Sequence, residues 1–347
     1  MMREMLARVT SGENLDTGSM VAAVSTIMDG EVSHTQMGAF LTALKVRGET
    51  EEEIAGAAMA LRSRSVAFPG GNLSDALDTC GTGGDGAGTV NVSTLAALTA
   101  AGAGARVAKH GNRSVSSRCG SADLLAALGV KTDTSPQVAA RCLDEARFAF
   151  LFAPIYHPAM KAVAPVRKDL GFRTLFNLVG PLCNPAGVNR QLLGVFSEDL
   201  VPLMAGVLLR LGTKRAMVVS SEDGLDEISV SSPTTVAEVM EGRGIQMRTL
   251  EPEDYGIKRA KQGALRGGTP EENAVISLEI LRGSHGPMRD AVLLNTAAAL
   301  EVAGVAGDMH EGLDLATRSI DRGLAMGVLE KVKLITSQEA VNATNKT

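Results

Sequence analysis

The first 66 residues follow a helical pattern of hydrophobic and polar positions. Apolar residues recur at the three- and four-residue spacing that places them on one face of a helix. Capping boxes precede two of these runs, at Ser33-x-x-Gln36 and Thr50-x-x-Glu53. The sequence Pro-Gly-Gly-Asn at 69–72 then interrupts the pattern. We therefore predict a small all-helical domain, residues 1–70.

Beyond residue 70, short apolar runs alternate with helical segments. Such runs are typical of parallel strands buried on both faces. The predicted strands are 76–79, 106–110, 148–152, 192–196 and 216–220, with a hairpin around Gly242 inside 227–250. The predicted helices are 93–103, 121–128, 136–146, 199–211, 270–282, 289–303 and 312–333. The alternation predicts a large α/β domain with a mostly parallel central sheet.

The segment 157–187 interrupts this alternation. It is helical and amphipathic, with proline and glycine breaks. We expect it to return and pack on the N-terminal helices. The small domain is then discontinuous, 1–70 joined by 160–187, and the large domain comprises 71–159 and 188–347.

The composition excludes several classes of protein. The 347-residue chain has a formal net charge of −5 and only 8 Phe, 2 Tyr and no Trp. Nucleic-acid binding uses a basic groove and stacking side chains, so we expect no nucleic-acid partner. The longest weakly polar stretch, 95–108, is shorter than the roughly 20 residues that cross a bilayer. With no apolar signal-peptide core at the N-terminus, we predict a cytoplasmic protein without a membrane partner.

The four cysteines fit the same compartment. Cys80, Cys119, Cys142 and Cys183 form no C-x-x-C pair, and no histidine lies at metal-ligand spacing from them. We interpret them as reduced, partly buried thiols.

The first motif with chemical content is DTCGTGGDG at 78–86, between a predicted strand and a predicted helix. It contains G-x-G-x-x-G, but no acidic residue occurs between Asp85 and Asp123, where a dinucleotide fold needs one for the ribose. No Gly-Lys-Ser/Thr closes it as a P-loop. Glycine N–H groups beside a helix N-terminus favour an anion site. A tight strand-to-helix turn without a ligand is the alternative.

Two further segments continue this anion site. Small polar side chains cluster at 89–94, where one helix cap needs only one of them. The loop KHGNRSVSS at 109–117 follows the second predicted strand and joins cations to hydrogen-bond donors, a combination suited to phosphate. Solvated surface charge is the alternative for this basic window.

Carboxylates and arginines suggest two more sites. Asp226 and Glu227 follow the strand predicted to end at 220, where oxygen ligands beside a diphosphate suit Mg²⁺. A solvated acidic pair is the alternative. The amphipathic segment carries Arg167, Lys168 and Arg173, and an arginine here could hold a carboxylate or be a surface charge. His157, before Pro158, is interpreted as a helix cap.

Taken together, the motifs closely resemble those of the anthranilate phosphoribosyltransferases, within the nucleoside phosphorylase-like phosphoribosyltransferase fold. The resemblance rests on DTCGTGGDG (78–86), NVST (91–94), KHGNRSVSS (109–117), PVRKDLG (165–171), FNLVGPLCNPAG (176–187) and GLDE (224–227). It implies a homodimer with the active site between a small helical and a large α/β domain. It also implies transfer of 5-phosphoribosyl from phosphoribosyl diphosphate (PRPP) to the amino group of anthranilate, in tryptophan biosynthesis.

The resemblance also implies roles for individual residues. For PRPP they are Gly81, Gly84, Asp85, Thr89, Asn91, Val92, Ser93, Thr94, Lys109, His110, Gly111, Asn112, Arg113, Ser114, Val115, Ser116, Ser117 and Ser121. For Mg²⁺, with two ions per active site, they are Ser93, Asp226 and Glu227. For anthranilate they are Gly81, His110, Asn112 and Arg167. Val90 and Val92 stand where relatives often carry Phe and Ile, and neither change removes a polar ligand.

The implied chemistry is a substitution at the ribose anomeric carbon with oxocarbenium character. The aromatic amine is already neutral, so we expect no catalytic acid, base or nucleophile and no essential histidine. Two rivals share the fold: a nucleoside phosphorylase and a nucleic-acid-binding relative. Asp226, Glu227, Arg167 and the 109–113 loop favour the transferase.

Overall fold

The computed structural model describes residues 1–71, 73–83, 88–114 and 118–344, with side chains as far as 338. The chain begins with four helices, as predicted: α1 (Met2–Thr10), α2 (Thr17–Met28), α3 (His34–Arg47) and α4 (Glu51–Arg62). Thr50 and Glu53 form the predicted capping box at the start of α4. Glu53 is fully buried, accepts a hydrogen bond from Leu15 N at 2.9 Å and pairs with Arg47. One carboxylate therefore fixes how three of the N-terminal segments meet.

Strands and helices then alternate. They are β1 (Leu77–Gly81), α5 (Val92–Gly102), β2 (Val107–Gly111), α6 (Ser121–Ala127), α7 (Pro136–Ala146), β3 (Phe148–Phe152), α8 (Ala153–Tyr156), α9 (Ala164–Leu170), α10 (Leu175–Val179), β4 (Arg190–Gly194), α11 (Leu200–Arg210) and β5 (Arg215–Ser221). Short 3₁₀ helices occur at Pro158–Ala162, Gly180–Leu182 and Pro252–Tyr255. The chain continues through β6 (Thr234–Met240), β7 (Gly244–Leu250), α12 (Pro270–Leu281), α13 (Pro287–Ala303), α14 (Met309–Asp321) and α15 (Leu324–Thr344).

The seven strands form one sheet in the order β3-β2-β1-β4-β5-β6-β7. All pairings from β3 through β5 are parallel, and β6 and β7 add antiparallel. The hairpin predicted around Gly242 is the turn between β6 and β7. The mostly parallel sheet beside an N-terminal helical unit confirms the predicted fold class.

The sheet separates two hydrophobic clusters. Successive side chains on a strand point to opposite faces, so Leu192 and Met217 belong to the cluster under α5–α7 and α12–α15, whereas Leu193 and Val218 belong to the other. That second cluster also contains the N-terminal helices, α11 and buried residues of the segment from Val163 to Cys183. The segment between β3 and β4 thus packs with the N-terminal helices.

One predicted helix is wrong. The periodicity at 312–333 is divided between α14 and α15, because Gly323 adopts φ +69° and ends the first helix. Glycine reaches this left-handed conformation without steric cost. The first of the two helices also starts earlier than predicted, since Asp308 caps it by accepting a hydrogen bond from Glu311 N at 2.9 Å.

Within the described residues, no helix combines the length and the apolar character needed to cross a membrane. All four cysteines are buried.

Candidate active site

A crevice lies where β1 and β4 end side by side. The strand β1 pairs with β2 on one side and with β4 on the other, so the sheet connections diverge here, as at ligand sites of other open α/β sheets. A cavity of about 50 Å³ lies at this point. Its lining residues are Thr79, Cys80, Gly81, Ser93, Leu192, Gly194, Val219, Asp226, Glu227 and Asn295. The three predicted metal ligands therefore share one cavity.

Two glycines make room for Asp226. A Cβ on Gly194 would overlap the Asp226 carbonyl, and a Cβ on Gly81 would meet Asp226 Oδ2. The same carboxylate oxygen accepts a hydrogen bond from Gly83 N at 2.8 Å. The backbone of both strand ends thus fixes this carboxylate, and any side chain at 81 or 194 would displace it.

Glu227 is held by the start of α5. Its Oε1 accepts a hydrogen bond from Ser93 N at 2.9 Å, where the positive end of a helix favours an anion. Asn295 fixes the next residue by donating to Ile228 O at 2.8 Å and accepting from Ile228 N at 3.0 Å. Backbone amides therefore orient both carboxylates, and Asn295 holds the backbone next to Glu227.

The donor set fits Mg²⁺. Two carboxylates and the Ser93 hydroxyl supply oxygen only, and Mg²⁺ commonly binds one or two carboxylates while keeping waters and substrate oxygens. No cluster of three or more His, Cys, Asp or Glu side chains with metal-site geometry occurs among the described residues. A magnesium ion that shares its coordination with phosphate oxygens matches this sparse set.

Lys109 lies beneath the cavity. It is 2% exposed, its ammonium donates to Thr79 O, and Nζ lies 3.3 Å from Ser93 Oγ. Burial lowers its pKa, and the negative charge of Asp78 opposes that shift. The Lys109 ammonium is therefore a buried positive charge next to the predicted metal ligand Ser93, and it does not lie in a solvated loop.

Asp78 is the centre of a buried network under both anion loops. One carboxylate oxygen accepts from His110 N at 3.1 Å, and the other accepts from Asn184 Nδ2 at 2.8 Å and from the Cys80 thiol at 3.3 Å. Burial raises the pKa of Asp78, whereas Lys109 and these hydrogen bonds lower it. Through Asn184, the network joins β1 and β2 to the segment before β4.

The loop after β2 is closed by Asp123. Its Oδ2 accepts from Ser114 N at 2.9 Å and from Gly120 N at 3.0 Å. The Ser121 hydroxyl donates to Asn112 O at 3.2 Å. The two ends of the predicted phosphate loop are thus pinned together.

Gly111 and Arg113 flank this loop. A Cβ on Gly111 would contact Ser121 Oγ and the Phe150 ring, so the strand end requires glycine. The exposed Arg113 guanidinium lies 5.8 Å from the centre of the Phe152 ring and forms a 3.8 Å ion pair with Asp123. It is held near the strand ends while remaining open to solvent.

The segment before α5 is tied to both neighbours. Asn91 occupies the N-cap position, yet its side chain makes no cap hydrogen bond and instead donates to Cys119 O at 3.0 Å. Thr89 forms an isolated β-bridge with Arg266. The neighbouring side chains of Val92 and Thr94 are fully buried, so of this cluster Thr89, Asn91 and Ser93 reach the surface of the site.

Two histidines pack against each other behind the β2 end. The rings of His110 and His157 are 5.1 Å apart and edge-to-face. Burial, with a smaller contribution from His157, lowers the pKa of His110 to about 3. His157 occupies the N-cap position of the 3₁₀ helix Pro158–Ala162, as interpreted, but its side chain makes no cap hydrogen bond, and its Nε2 lies 2.9 Å from Cys183 O.

Arg167 lies on α9, which packs on α3 of the N-terminal helices: a Cβ on Gly38 would lie 3.8 Å from Val166. Its guanidinium donates to Asn177 Oδ1 at 3.3 Å, and the same oxygen accepts from Thr174 N at 3.0 Å. Burial lowers the pKa of Arg167. The arginine is therefore positioned from the helical side of the molecule.

Five predicted ligand residues, Gly84, Asp85, Val115, Ser116 and Ser117, lie outside the described residues. Five supporting residues had no predicted role: Asp78, Asp123, Asn184, Asn273 and Asn295. Asp78 and Asn184 lie inside the motifs quoted above. That position indicates that they belong to the site, but it does not indicate which residues they contact. Asn273 and Asn295 stand in ordinary helical sequence and offer no such signal.

Family models match most of the chain. The glycosyl transferase family a/b domain model matches residues 73–326, and the glycosyl transferase family helical bundle domain model matches residues 3–65.

Individual relatives cover nearly the full length. The chain is 50% identical over 339 residues to an anthranilate phosphoribosyltransferase of Thermomicrobium roseum, with 97% of each chain covered. The crystal structure of the Thermus thermophilus enzyme of that name superposes with a TM-score of 0.91, at 44% identity over 96% of this chain and 99% of that one. The structure of the Saccharomyces cerevisiae enzyme in complex with PRPP and Mg superposes with a TM-score of 0.88. Its sequence is 31% identical, and the match covers 97% of this chain and 98% of that one.

Proposed function

This chain belongs to the anthranilate phosphoribosyltransferase family, and from its structure we propose how the residues of the sheet-edge site divide the work. The enzyme transfers the 5-phosphoribosyl group of PRPP to the amino group of anthranilate, giving N-(5-phosphoribosyl)anthranilate and diphosphate, in tryptophan biosynthesis. The observation that carries the assignment of roles is the convergence of Ser93, Asp226 and Glu227 on one cavity at the divergence of β1 and β4.

Mg²⁺ is the cofactor, as in the yeast complex with PRPP and Mg. We assign Ser93, Asp226 and Glu227 as its protein ligands and two ions to each site. When bound, Mg²⁺ neutralises charge on the diphosphate oxygens. The carboxylates need no rearrangement to receive it, because Gly83 N and Ser93 N already orient them.

PRPP is assigned to the two glycine-containing loops. We propose that backbone amides supply most of the contacts, since helix N-termini and glycine loops bind phosphate in this way. Lys109 contributes its charge from beneath, and Arg113 contributes from the exposed side. The proposed ligands are Gly81, Gly84, Asp85, Thr89, Asn91, Val92, Ser93, Thr94, Lys109, His110, Gly111, Asn112, Arg113, Ser114, Val115, Ser116, Ser117 and Ser121. For the buried Val92 and Thr94 the proposed contact is through the backbone.

Anthranilate is assigned to Gly81, His110, Asn112 and Arg167. Arg167 is the cation for the substrate carboxylate, since a guanidinium binds a carboxylate with paired, charge-assisted hydrogen bonds. His110 keeps a neutral ring because its pKa is about 3. The ring can therefore pack against anthranilate and form a hydrogen bond without carrying a charge.

No residue of the chain has to remove a proton before the amine attacks. The protein holds the amine in line with the anomeric carbon, and such alignment supplies about 7–11 kcal/mol in favourable cases. Charges and amides that are already oriented stabilise the departing diphosphate, at about 3–4 kcal/mol for a single donor. Water has to be kept from the anomeric carbon, which the junction of the helical and α/β units can do by closing.

We propose a cytoplasmic homodimer. The family resemblance supports the dimer, as do apolar side chains exposed on the N-terminal helices, such as Val46 (83% exposed) and Met59 (48%). The absence of a C-x-x-C pair and the burial of all four cysteines support a reducing compartment. Sedimentation velocity of the purified chain tests the dimer directly, and a monomer at micromolar concentration would contradict it.

The test of the function is the loss of anthranilate fluorescence when PRPP and Mg²⁺ are added to the purified chain. We expect turnover that depends on all three components. A parallel assay with uridine or thymidine plus inorganic phosphate addresses the phosphorylase on the same fold. Nucleoside cleavage without anthranilate consumption would overturn the proposed assignment.

A further inference from the structure

Asn273 is a buried side chain that joins the C-terminal part of the chain to the anion loops. It lies in the first turn of α12 and is 1% exposed. Its Oδ1 accepts a hydrogen bond from Gly268 N at 2.7 Å, and its Nδ2 donates to Asn91 Oδ1 at 3.1 Å. Both ends of the carboxamide are therefore engaged, each with a different loop.

The contact continues through Asn91 to a third segment. Asn91 uses its Oδ1 to accept from Asn273 and its Nδ2 to donate to Cys119 O at 3.0 Å. Two carboxamides in series thus connect Gly268, the residue before α5, and the chain just after the 109–117 loop. A side-chain hydrogen bond between Asn273 and Cys119 also links α12 to this third segment.

The segment before α12 lies along residues 88–90, between the first anion loop and α5. Val90 N donates to Leu265 O and Gly267 N donates to Gly88 O, both at 2.9 Å. Gly267 approaches so closely that a Cβ there would lie 2.9 Å from Thr89 O and would collide with the Asn273 amide. The residues 265–268 therefore form a strap across 88–90, and Asn273 holds the end of that strap.

We propose that Asn273 is a positioning residue for PRPP binding. By orienting Asn91 and the strap, it fixes the spacing of the 88–91 and 118–120 segments before the substrate arrives. A site whose donors are already placed binds more tightly than one that must order them. This inference rests on the proposed assignment of PRPP to these loops, and it gives Asn273 no contact with substrate.

Calorimetric titration of PRPP in the presence of Mg²⁺, without anthranilate, tests it. We expect Asn273→Ala to raise the Kd for PRPP about tenfold, the scale set by one lost buried hydrogen bond. The KM for anthranilate should change less than twofold. Asn273→Asp keeps the acceptor for Gly268 N and the side-chain volume but presents no donor to Asn91, so it should weaken PRPP binding to a similar extent.

The matched control is Ser277→Ala. Ser277 is also fully buried in α12, and its hydroxyl donates to Asn273 O at 2.6 Å, so this variant removes a buried hydrogen bond while leaving the carboxamide in place. It should lower the Tm without changing the Kd for PRPP.

The outcomes separate cleanly. If the unsubstituted chain binds PRPP and both Asn273 variants bind it within twofold of the same Kd, Asn273 is only structural and the inference is overturned. If Ser277→Ala weakens binding equally, loss of helix stability explains the effect and the inference is again overturned. If the unsubstituted chain does not bind PRPP at all, the proposed function itself is wrong. Should Asn273→Ala fail to fold, Asn273→Asp carries the same test.

Discussion

The metal end of the site and its Arg167 end are supported in different ways. At the metal end, backbone amides of Gly83 and Ser93 hold the two carboxylates, and glycines on two parallel strands leave room for Asp226. Arg167 lies instead on the seven-residue α9, and its guanidinium is held by the side chain of Asn177. The position of the carboxylates at the sheet edge depends on several segments of the chain at once. The position of the Arg167 guanidinium depends on one side-chain contact, which can be altered alone.

The two ends also differ in hydrophobic support. Cavity-lining Leu192 and Val219 belong to the cluster under α5 and α13, whereas Val166 beside Arg167 belongs to the cluster of the N-terminal helices. The two substrates are thus assigned to groups with different packing. Substitutions at the two ends should separate the kinetic constants for PRPP and anthranilate.

The largest expected effect is at the metal end. Replacing both Asp226→Ala and Glu227→Ala should reduce Mg²⁺-dependent kcat/KM at least about 1,000-fold, since preorganised charge stabilisation of about 4 kcal/mol is lost. Initial rates across a Mg²⁺ titration measure this. Glu222→Ala, an exposed carboxylate in the same loop, is the control and should be near the unsubstituted rate. Activity within tenfold of normal in the double variant would show that the two acids are surface charges.

The next largest effect is expected at the buried Asp78 network beneath the two anion loops. Asp78→Asn leaves Lys109 without its buried counter-charge and should lower the free energy of unfolding by about 3 kcal/mol. Because Asp78 bonds both His110 N and Asn184, the KM values for both substrates should rise. Urea unfolding and steady-state kinetics measure these changes, with the exposed Asp75→Asn as the control. A rise confined to one KM would show that the ends are independent.

At the other end, Arg167→Ala should raise the KM for anthranilate about 10- to 100-fold, the range for a lost hydrogen bond to a charged group in a buried setting. The Kd for PRPP should stay the same, because α9 contributes nothing to the proposed PRPP loops. Lys168→Ala, the exposed neighbour, is the control. An unchanged anthranilate KM, or an equal loss of PRPP affinity, would remove the assigned role.

The smallest effect is a pH dependence of stability. Burial lowers the pKa of His110 to about 3, so the folded chain leaves the ring neutral where the unfolded chain, with a pKa near 6.5, binds a proton. The neutral His110 ring makes its full contribution to the stability of the folded chain above about pH 6.5. This contribution is lost progressively as the pH falls toward 3. By pH 5.5 the loss is about 1.4 kcal/mol.

The urea midpoints of unfolding at pH 7.5, 6.5 and 5.5 measure how steeply stability changes with pH. His110→Gln should reduce the pH dependence of stability by about half a proton, averaged over this pH range. Identical slopes in the unsubstituted and the His110→Gln chains would mean that His110 titrates normally and that its ring is more solvated than its packing indicates.

Sequence patterns predicted the architecture well because strands and helices carry local signals. The runs of apolar residues located every parallel strand to within about two residues, and the capping box at Thr50 predicted the start of α4. The exception was the division between α14 and α15, since one glycine with positive φ interrupts an otherwise continuous helical periodicity. A single residue changes the direction of the chain there without changing the hydrophobic pattern.

The site was predicted less completely. Its charged residues stand in motifs, whereas its supporting amides act across the chain: Asn184 reaches Asp78 over 106 residues, and Asn273 reaches Asn91 over 182. No periodicity encodes such pairings. The position of His157 before Pro158 correctly predicted a helix cap, but this local signal did not predict its side-chain partner, Cys183 O, which lies 26 residues away.

The shared hydrophobic cluster has a consequence for protein engineering. Leu193, Val218 and Val239 of the sheet pack in the same cluster as the helices α1–α4. Excising the helical unit would expose the side of α11 on which α4 packs, and grafting the unit from a relative would replace one part of a shared core. The helical unit is therefore not an exchangeable cassette, and chimaeras of such enzymes should cross over within surface loops of the sheet and not at the apparent boundary near residue 70.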